Sequence, residues 1–244
     1  MTMDPKLFGQ APARDERFRV VDYWRDCDNF PDDHSQKEVE FLHRQMNEEI
    51  NGMENAARSL ADFTDAEWDL RMCLARQCYD EARHVLMFRK LFESLGVQVG
   101  QYPVMNFQYR IIGNIESLIG RLAVQNRSFE ADGIDAIGYG IQEADEQGNI
   151  PLRELLEAQL ADEITHVRFA NEYIHDAVHK NPRLAIRMGL ALDQASRAFR
   201  QVMGNEGTNV TKYTVDAEAR LEAGFQASEV HASAQQASAR TAKG

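Results

Sequence analysis

Cysteine is scarce in this chain. Only three of the 244 residues are cysteines, Cys27, Cys73 and Cys78. No two of them form a Cys-x-x-Cys pair, which excludes a zinc ribbon and a rubredoxin-type iron site. Proline occurs six times, too rarely to interrupt long helices often. No apolar run approaches the roughly 18 residues that a membrane-spanning helix needs. The first 19 residues contain no apolar signal-peptide core, so the expected location is cytoplasmic and no membrane partner is expected. Basic residues are in deficit, 27 against 39 acidic ones, for a net charge of −12. Such a surface repels nucleic acid and anionic membranes. Lys180, Arg183, Arg187, Arg197 and Arg200 are a local exception, with Asp193 as the one acid among them. That stretch reads either as a solvated helix face or as a docking face for an anionic substrate or acidic partner.

What is present is helical pattern. Residues 1–34 are too apolar for a free tail (Phe18, Val20, Val21, Tyr23, Trp24, Phe30) and read as an arm packed on the body. The spacing predicts a first helix from Ser35 to about Phe63, opened by a Ser35–Glu38 capping box. Its inward stripe is Val39, Leu42, Met46, Glu49, Met53, Ala56 and Leu60. A second helix is predicted to start at once, from a Thr64–Glu67 capping box. It carries Leu70, Leu74, Gln77, Glu81, His84, Phe88, Leu91 and Leu95 inward and stops at Gly96. Residues 97–106 read as an extended crossover. A third helix is expected over 107–131, with Ile112, Ile115, Ile119, Leu122, Asn126 and then Phe129 or Glu130 inward. Asp132-Gly133 should break it, and a kinked continuation is expected after that. A fourth helix follows Gly148-Asn149-Ile150-Pro151 and ends at Asn181-Pro182, with Leu156, Gln159, Glu163, His166, Ala170 and Tyr173 on its stripe. A fifth, basic helix is expected over 183–203. The tail from 204 to 244 is expected to be partly helical, near 215–225, and disordered at its end.

One motif occurs twice. Asp80-Glu81-Ala82-Arg83-His84 is echoed by Asp162-Glu163-Ile164-Thr165-His166, and a Gln precedes each Asp by three positions. Glu and His three residues apart on a helix share a face and can grip one ion. Two helices thus bear Glu-x-x-His, and two bear a single inward carboxylate, Glu49 and Glu130. That is the ligand inventory of a di-metal carboxylate site in a four-helix bundle. Four buried carboxylates need compensation; two divalent ions supply it, with two neutral imidazoles completing the shells. Oxygen and imidazole ligands favour iron or manganese. Asp80 and Asp162 are placed to accept the free N–H of a ligand histidine on the facing helix, Asp80 from His166 and Asp162 from His84. Tyr79, Tyr109 and Tyr173 read as core aromatics, and His34, His43, His175, His179 and His231 as surface or packing residues.

On these motifs the chain resembles the ferritin-like di-iron carboxylate superfamily over about residues 36–180. Glu49-x4-Glu54 and Glu130-Ala-x-Gly-Ile-Asp135 resemble, more closely, an uncharacterised bacterial ferritin-like family related to tRNA-modifying di-iron hydroxylases. One departure is Asn47, where that family tends to have His. The resemblance implies an all-α fold: a ferritin-like four-helix bundle with a crossover between helices 2 and 3, here over residues 35–203 with the fifth helix included, plus the N-terminal arm. It implies two Fe ions, or Mn or a mixed pair, on Glu49, Glu81, His84, Glu130, Glu163 and His166. The expected activity is a di-iron oxygenase or oxidase that uses dioxygen to hydroxylate or N-oxygenate a small organic substrate. Electrons would come from a donor such as a ferredoxin or reductase, and the assembly would be a monomer or homodimer. A ferroxidase or iron-handling role without an organic substrate is the alternative, and a purely structural metal site in an interaction module is a third reading.

Overall fold

A computed structural model describes residues 3–31, 33–204 and 214–241; beyond residue 235 it describes backbone alone. Helices hold most of the described residues, as the all-α expectation requires. The chain divides into two compact units. Unit 1 comprises residues 1–118 and 192–207, and unit 2 residues 119–191 and 208–244.

In unit 1, α1 (Lys37–Asp62) and α2 (Trp68–Ser94) pack along each other. Each buries one stripe: Leu42, Met46, Glu49 and Ala56 on α1, and Leu70, Leu74, Gln77, Glu81, His84 and Phe88 on α2. Neither expected capping box forms. The chain enters α1 through overlapping turns (His34 N to Pro31 O, Lys37 N to His34 O, both 3.0 Å), and the His34 ring, not Ser35, accepts an entry N–H, from Gln36 at 3.2 Å. The start of α2 slips to Trp68 because residues 63–66 close a turn (Ala66 N to Phe63 O, 3.2 Å). Arg71 then donates to the carbonyls of Leu60 and Phe63 at the end of α1. Gly96 ends α2 at φ 86°, the left-handed conformation that favours glycine.

The arm packs as expected, with Phe8, Tyr23 and Cys27 buried. It also supplies a strand that the periodicity did not reveal. β1 (Arg19–Val21) pairs in parallel with β2 (Pro103–Met105), Val20 opposite Val104. Residues 97–106 are therefore pinned to the arm along part of their length. The turn at Gly100 requires glycine, at φ 86°, and a Cβ there would meet the Arg17 carbonyl at 2.0 Å. α3 (Phe107–Gly113) follows and packs on α1.

The expected third helix is broken, at residues 114–117 and not at Asp132-Gly133. The cause is tertiary. The Arg110 carbonyl accepts the Gly9 N–H at 2.8 Å, and Gly113 is pressed against the Arg58 guanidinium. The arm thereby occupies a group that a longer helix would need. α4 (Leu118–Val124), in unit 2 from Ile119 on, leads without a break into a π-helical segment, Gln125–Glu130, and then α5 (Ala131–Glu146). α6 (Ile150–Lys180) matches the predicted fourth helix, its Asn149 cap accepting the Leu152 N–H at 3.3 Å. α7 (Leu184–Met203) matches the fifth; it belongs to unit 2 through Ala191 and to unit 1 from Leu192.

The tail is more ordered than expected. α8 (Ala217–Glu222) falls in the predicted stretch, and a further helix, α9 (Ala227–Thr241), follows where disorder was expected; residues 205–213 and 242–244 lie outside the described residues. What orders this segment is burial and charge. Ala219, Ala223, Phe225 and Val230 join Ala131, Ile134, Ile164 and Val167 in one apolar cluster. Arg220 makes a two-pronged pair with Asp135 (3.1 and 2.7 Å) and reaches Asp132 at 3.1 Å.

Candidate metal centre

In unit 1 the interface of α1 and α2 gathers Glu49, Glu81 and His84, which are 7%, 2% and 0% exposed. The inward stripes of the two helices put these side chains at one level. His84 Nδ1 lies 3.1 Å from a Glu49 oxygen and 3.4 Å from a Glu81 oxygen, and one ligand atom of each residue lies within 4.8 Å of the others. An imidazole nitrogen carries at most one proton and cannot donate to two carboxylates at full strength. Two carboxylate oxygens converging on one ring nitrogen is instead how three ligands stand around a cation. Gly52 makes room for them: a Cβ there would come within 3.0 Å of the Glu81 carboxylate.

Unit 2 gathers Glu130, Glu163 and His166 in the same way, again within 4.8 Å and 8%, 4% and 1% exposed. His166 Nδ1 is 3.4 Å from a Glu163 oxygen. Glu130 ends the π-helical segment. Gln125 Nε2 donates to one of its oxygens at 3.0 Å and Asn126 Nδ2 to the other at 2.9 Å. The Asn126 amide also reaches the His166 carbonyl at 3.3 Å. The widened turn brings residues five apart onto one face, so Gln125 can reach Glu130; such bulges are rare in helices and frequent at functional sites.

All six expected ligands are thus buried, three together in each unit. Asp80 is also buried, with its oxygens held at 3.1 Å each by Arg76 and Arg83 of its own helix. Asp162 is buried on α6. Glu48 and Glu54, the acidic neighbours of Glu49, belong to neither ligand group among the described residues. Glu54 pairs with Arg14 of the arm at 2.7 Å, and burial pushes the Glu48 carboxyl up to about 7, against the opposing charge of Arg44. His43 is a packing residue: fully buried against Phe92 and Tyr102, it accepts the Gly100 N–H at Nε2. Burial lowers its pKa to about 4. Asn47, the departure from the resembling family, spends its amide on the Met105 carbonyl at 2.8 Å and so anchors β2 to α1. Tyr79 corrects an expectation, being 67% exposed and no core aromatic.

Three contributors escaped the sequence reading: Gln125, Asn126 as a donor to Glu130, and Gly52. A glycine in mid-helix costs about 1 kcal/mol against alanine and was a usable signal for close approach. The amide pair had none, because only the π turn aims it.

The chain matches the model of a family described as "Protein of unknown function (DUF455)" over residues 2–231 and belongs to that family. No curated protein and no solved structure matches it.

Proposed function

We propose that each triad holds one metal ion, and that the protein is a ferritin-like non-haem di-iron oxygenase or oxidase acting on a small organic substrate. The observation that carries this reading is that each unit encloses two carboxylates and one imidazole with their ligand atoms within 4.8 Å. Four anionic side chains held away from water are costly unless cations stand among them. Two divalent ions balance four glutamates, and the oxygen-rich donor set with one imidazole per ion suits iron, with manganese or a mixed pair as the nearest substitutes.

The same reading gives the fold as the ferritin-like four-helix bundle that the sequence resemblance implies. Bound iron would supply the reduction of dioxygen. In the hydroxylation the substrate C–H bond and one dioxygen molecule, with two electrons and two protons, give C–OH and water; the electrons come from a donor such as a ferredoxin or reductase. The chain's own residues do the rest. His84 and His166 would offer Nδ1, the nitrogen that lies beside the glutamate oxygens, as the ligand atom. Glu130, both oxygens fixed by amides, keeps one orientation. Asp80, held by Arg76 and Arg83, and Asp162 would each accept the outer ring N–H of a ligand histidine and so fix its tautomer.

The test is a single exposure of anaerobically ferrous-loaded protein to oxygenated buffer, with oxygen uptake and iron content followed together. The proposal expects uptake of one dioxygen per two bound ferrous ions, after which iron stays at two per chain. Continued uptake with iron accumulating well beyond two per chain indicates ferroxidase chemistry instead. Uptake no faster than that of free ferrous ion sinks both readings.

A further inference from the structure

α2 carries two apolar stripes. The inner one builds the triad of unit 1. The outer one is Trp68, Met72, Ala75, Tyr79, Ala82 and Leu86, spaced 4-3-4-3-4, the rhythm of a coiled-coil seam. This second stripe faces solvent: Trp68 is 70% exposed, Met72 44%, Tyr79 67% and Leu86 63%. Together they leave on the order of 500 Å² of contiguous apolar surface, at the upper end for a monomer. A helix needs only one such face to pack into its own core. A second one, unbroken over 19 residues or about 27 Å, calls for another helix of matching rhythm.

We infer that this face is a homodimer interface in which α2 packs antiparallel against α2 of a second copy. Both side-chain size and charge select that occupant. In the antiparallel register that sets Ala75 beside Tyr79 of the second copy, Met72 meets Ala82 and Trp68 meets Leu86. The small residues then face two of the four large ones, Tyr79 and Met72, and the two-fold axis repeats each pairing. In that register the acidic entry to the helix (Glu67, Asp69) lies toward its basic exit (Arg89, Lys90) in the other copy; Arg89 also pairs with Glu93 of its own helix at 2.8 Å. A parallel pair would instead set basic exit against basic exit. Arg71 and Arg83, which approach each other across the antiparallel seam, are each already occupied, Arg71 by the α1 carbonyls and Arg83 by Asp80. The interface lies on the back of the helix that carries Glu81 and His84, so dimerisation would stiffen that helix without covering its ligand face.

Sedimentation equilibrium of the full-length protein at micromolar concentration tests this. Twice the mass of one chain is expected. Tyr79→Glu and, separately, Leu86→Gln should give the mass of one chain with unchanged helix content and melting temperature, because both side chains are exposed in the isolated chain. Ala75→Tyr or Tyr79→Ala alone should weaken the dimer about three- to tenfold, and the two together, which exchange the large and small partners, should restore it. A single-chain mass for the unmodified protein overturns the inference, as does a dimer that survives Tyr79→Glu. Failure of the combined Ala75→Tyr and Tyr79→Ala exchange to restore the dimer overturns the antiparallel register.

Discussion

The two triads have the same composition and are built differently. Glu49, Glu81 and His84 sit on two regular helices joined by a turn of five residues, and space for them is made by the missing side chain of Gly52. Glu130, Glu163 and His166 depend on a π-helical turn whose amides hold Glu130 from two sides. That turn is braced in its own right. Arg127 pairs with Glu229 of α9, donates to Asn171 of α6 and lies 4.7 Å from the centre of the Phe225 ring. One half is thus fixed by local helix pairing, the other by a segment about a hundred residues away in sequence. The difference teaches that equivalent ligands need not be equivalently supported, and that the second half should be the more easily loosened from outside.

The largest expected effect separates the halves by stability. Arg220→Ala removes the partner of buried Asp135 and leaves an uncompensated charge, at a cost of about 3–5 kcal/mol. Hydrogen exchange should show the loss in α5, α8 and α9 while α1 and α2 keep their protection; equal loss in both units would break the comparison.

Unit 1 has its own titratable group in His43. Its folded-state pKa of about 4 lies below the unfolded value near 6.5, so the unfolded chain binds the proton more readily. The stability that neutral His43 preserves is present in full above about pH 6.5 and is lost as pH falls toward 4, by about 3 kcal/mol in all. Denaturant midpoints measured from pH 7 to pH 4 should fall less steeply in His43→Gln than in the unmodified protein. Identical slopes would contradict the assignment.

A matched pair of substitutions gives a smaller effect and sharpens the contrast at the metals. Asn126→Ala frees one oxygen of Glu130 and should weaken one of the two ions about 10- to 100-fold. Gly52→Ala asks the Glu81 carboxylate to yield by a few tenths of an ångström and should weaken binding less. Ferrous titration with a competing chelator reads both; a larger loss in Gly52→Ala would reverse the order of rigidity proposed for the two halves.

The parts of the fold that local pattern could announce were legible. α1, α2, α6 and α7 each show a sustained apolar stripe, and Gly96, Asn149 and Asn181 mark ends by their own backbone preferences. The six candidate ligands were legible for the same reason: each is a polar residue set in an otherwise apolar stripe. The remainder is decided at long range. β2 is a strand because Arg19–Val21 lies beside it. The break at residues 114–117 reflects Gly9 and Arg58, and α9 follows a segment pinned by Arg220, Asp135 and Asp132. Tyr79 was misread because an apolar rhythm marks a face without showing whether the chain's own core covers it, and here it does not.

The claim on which the account stands is that the two triads hold two metal ions between them. Metal analysis of protein reconstituted anaerobically with ferrous ion, alongside His84→Ala and His166→Ala, tests it most directly. The account predicts two ions per chain in the unmodified protein, about one retained in each single variant and none tightly held in the double variant. Fewer than one ion per chain in the unmodified protein, or two retained in the double variant, would contradict it.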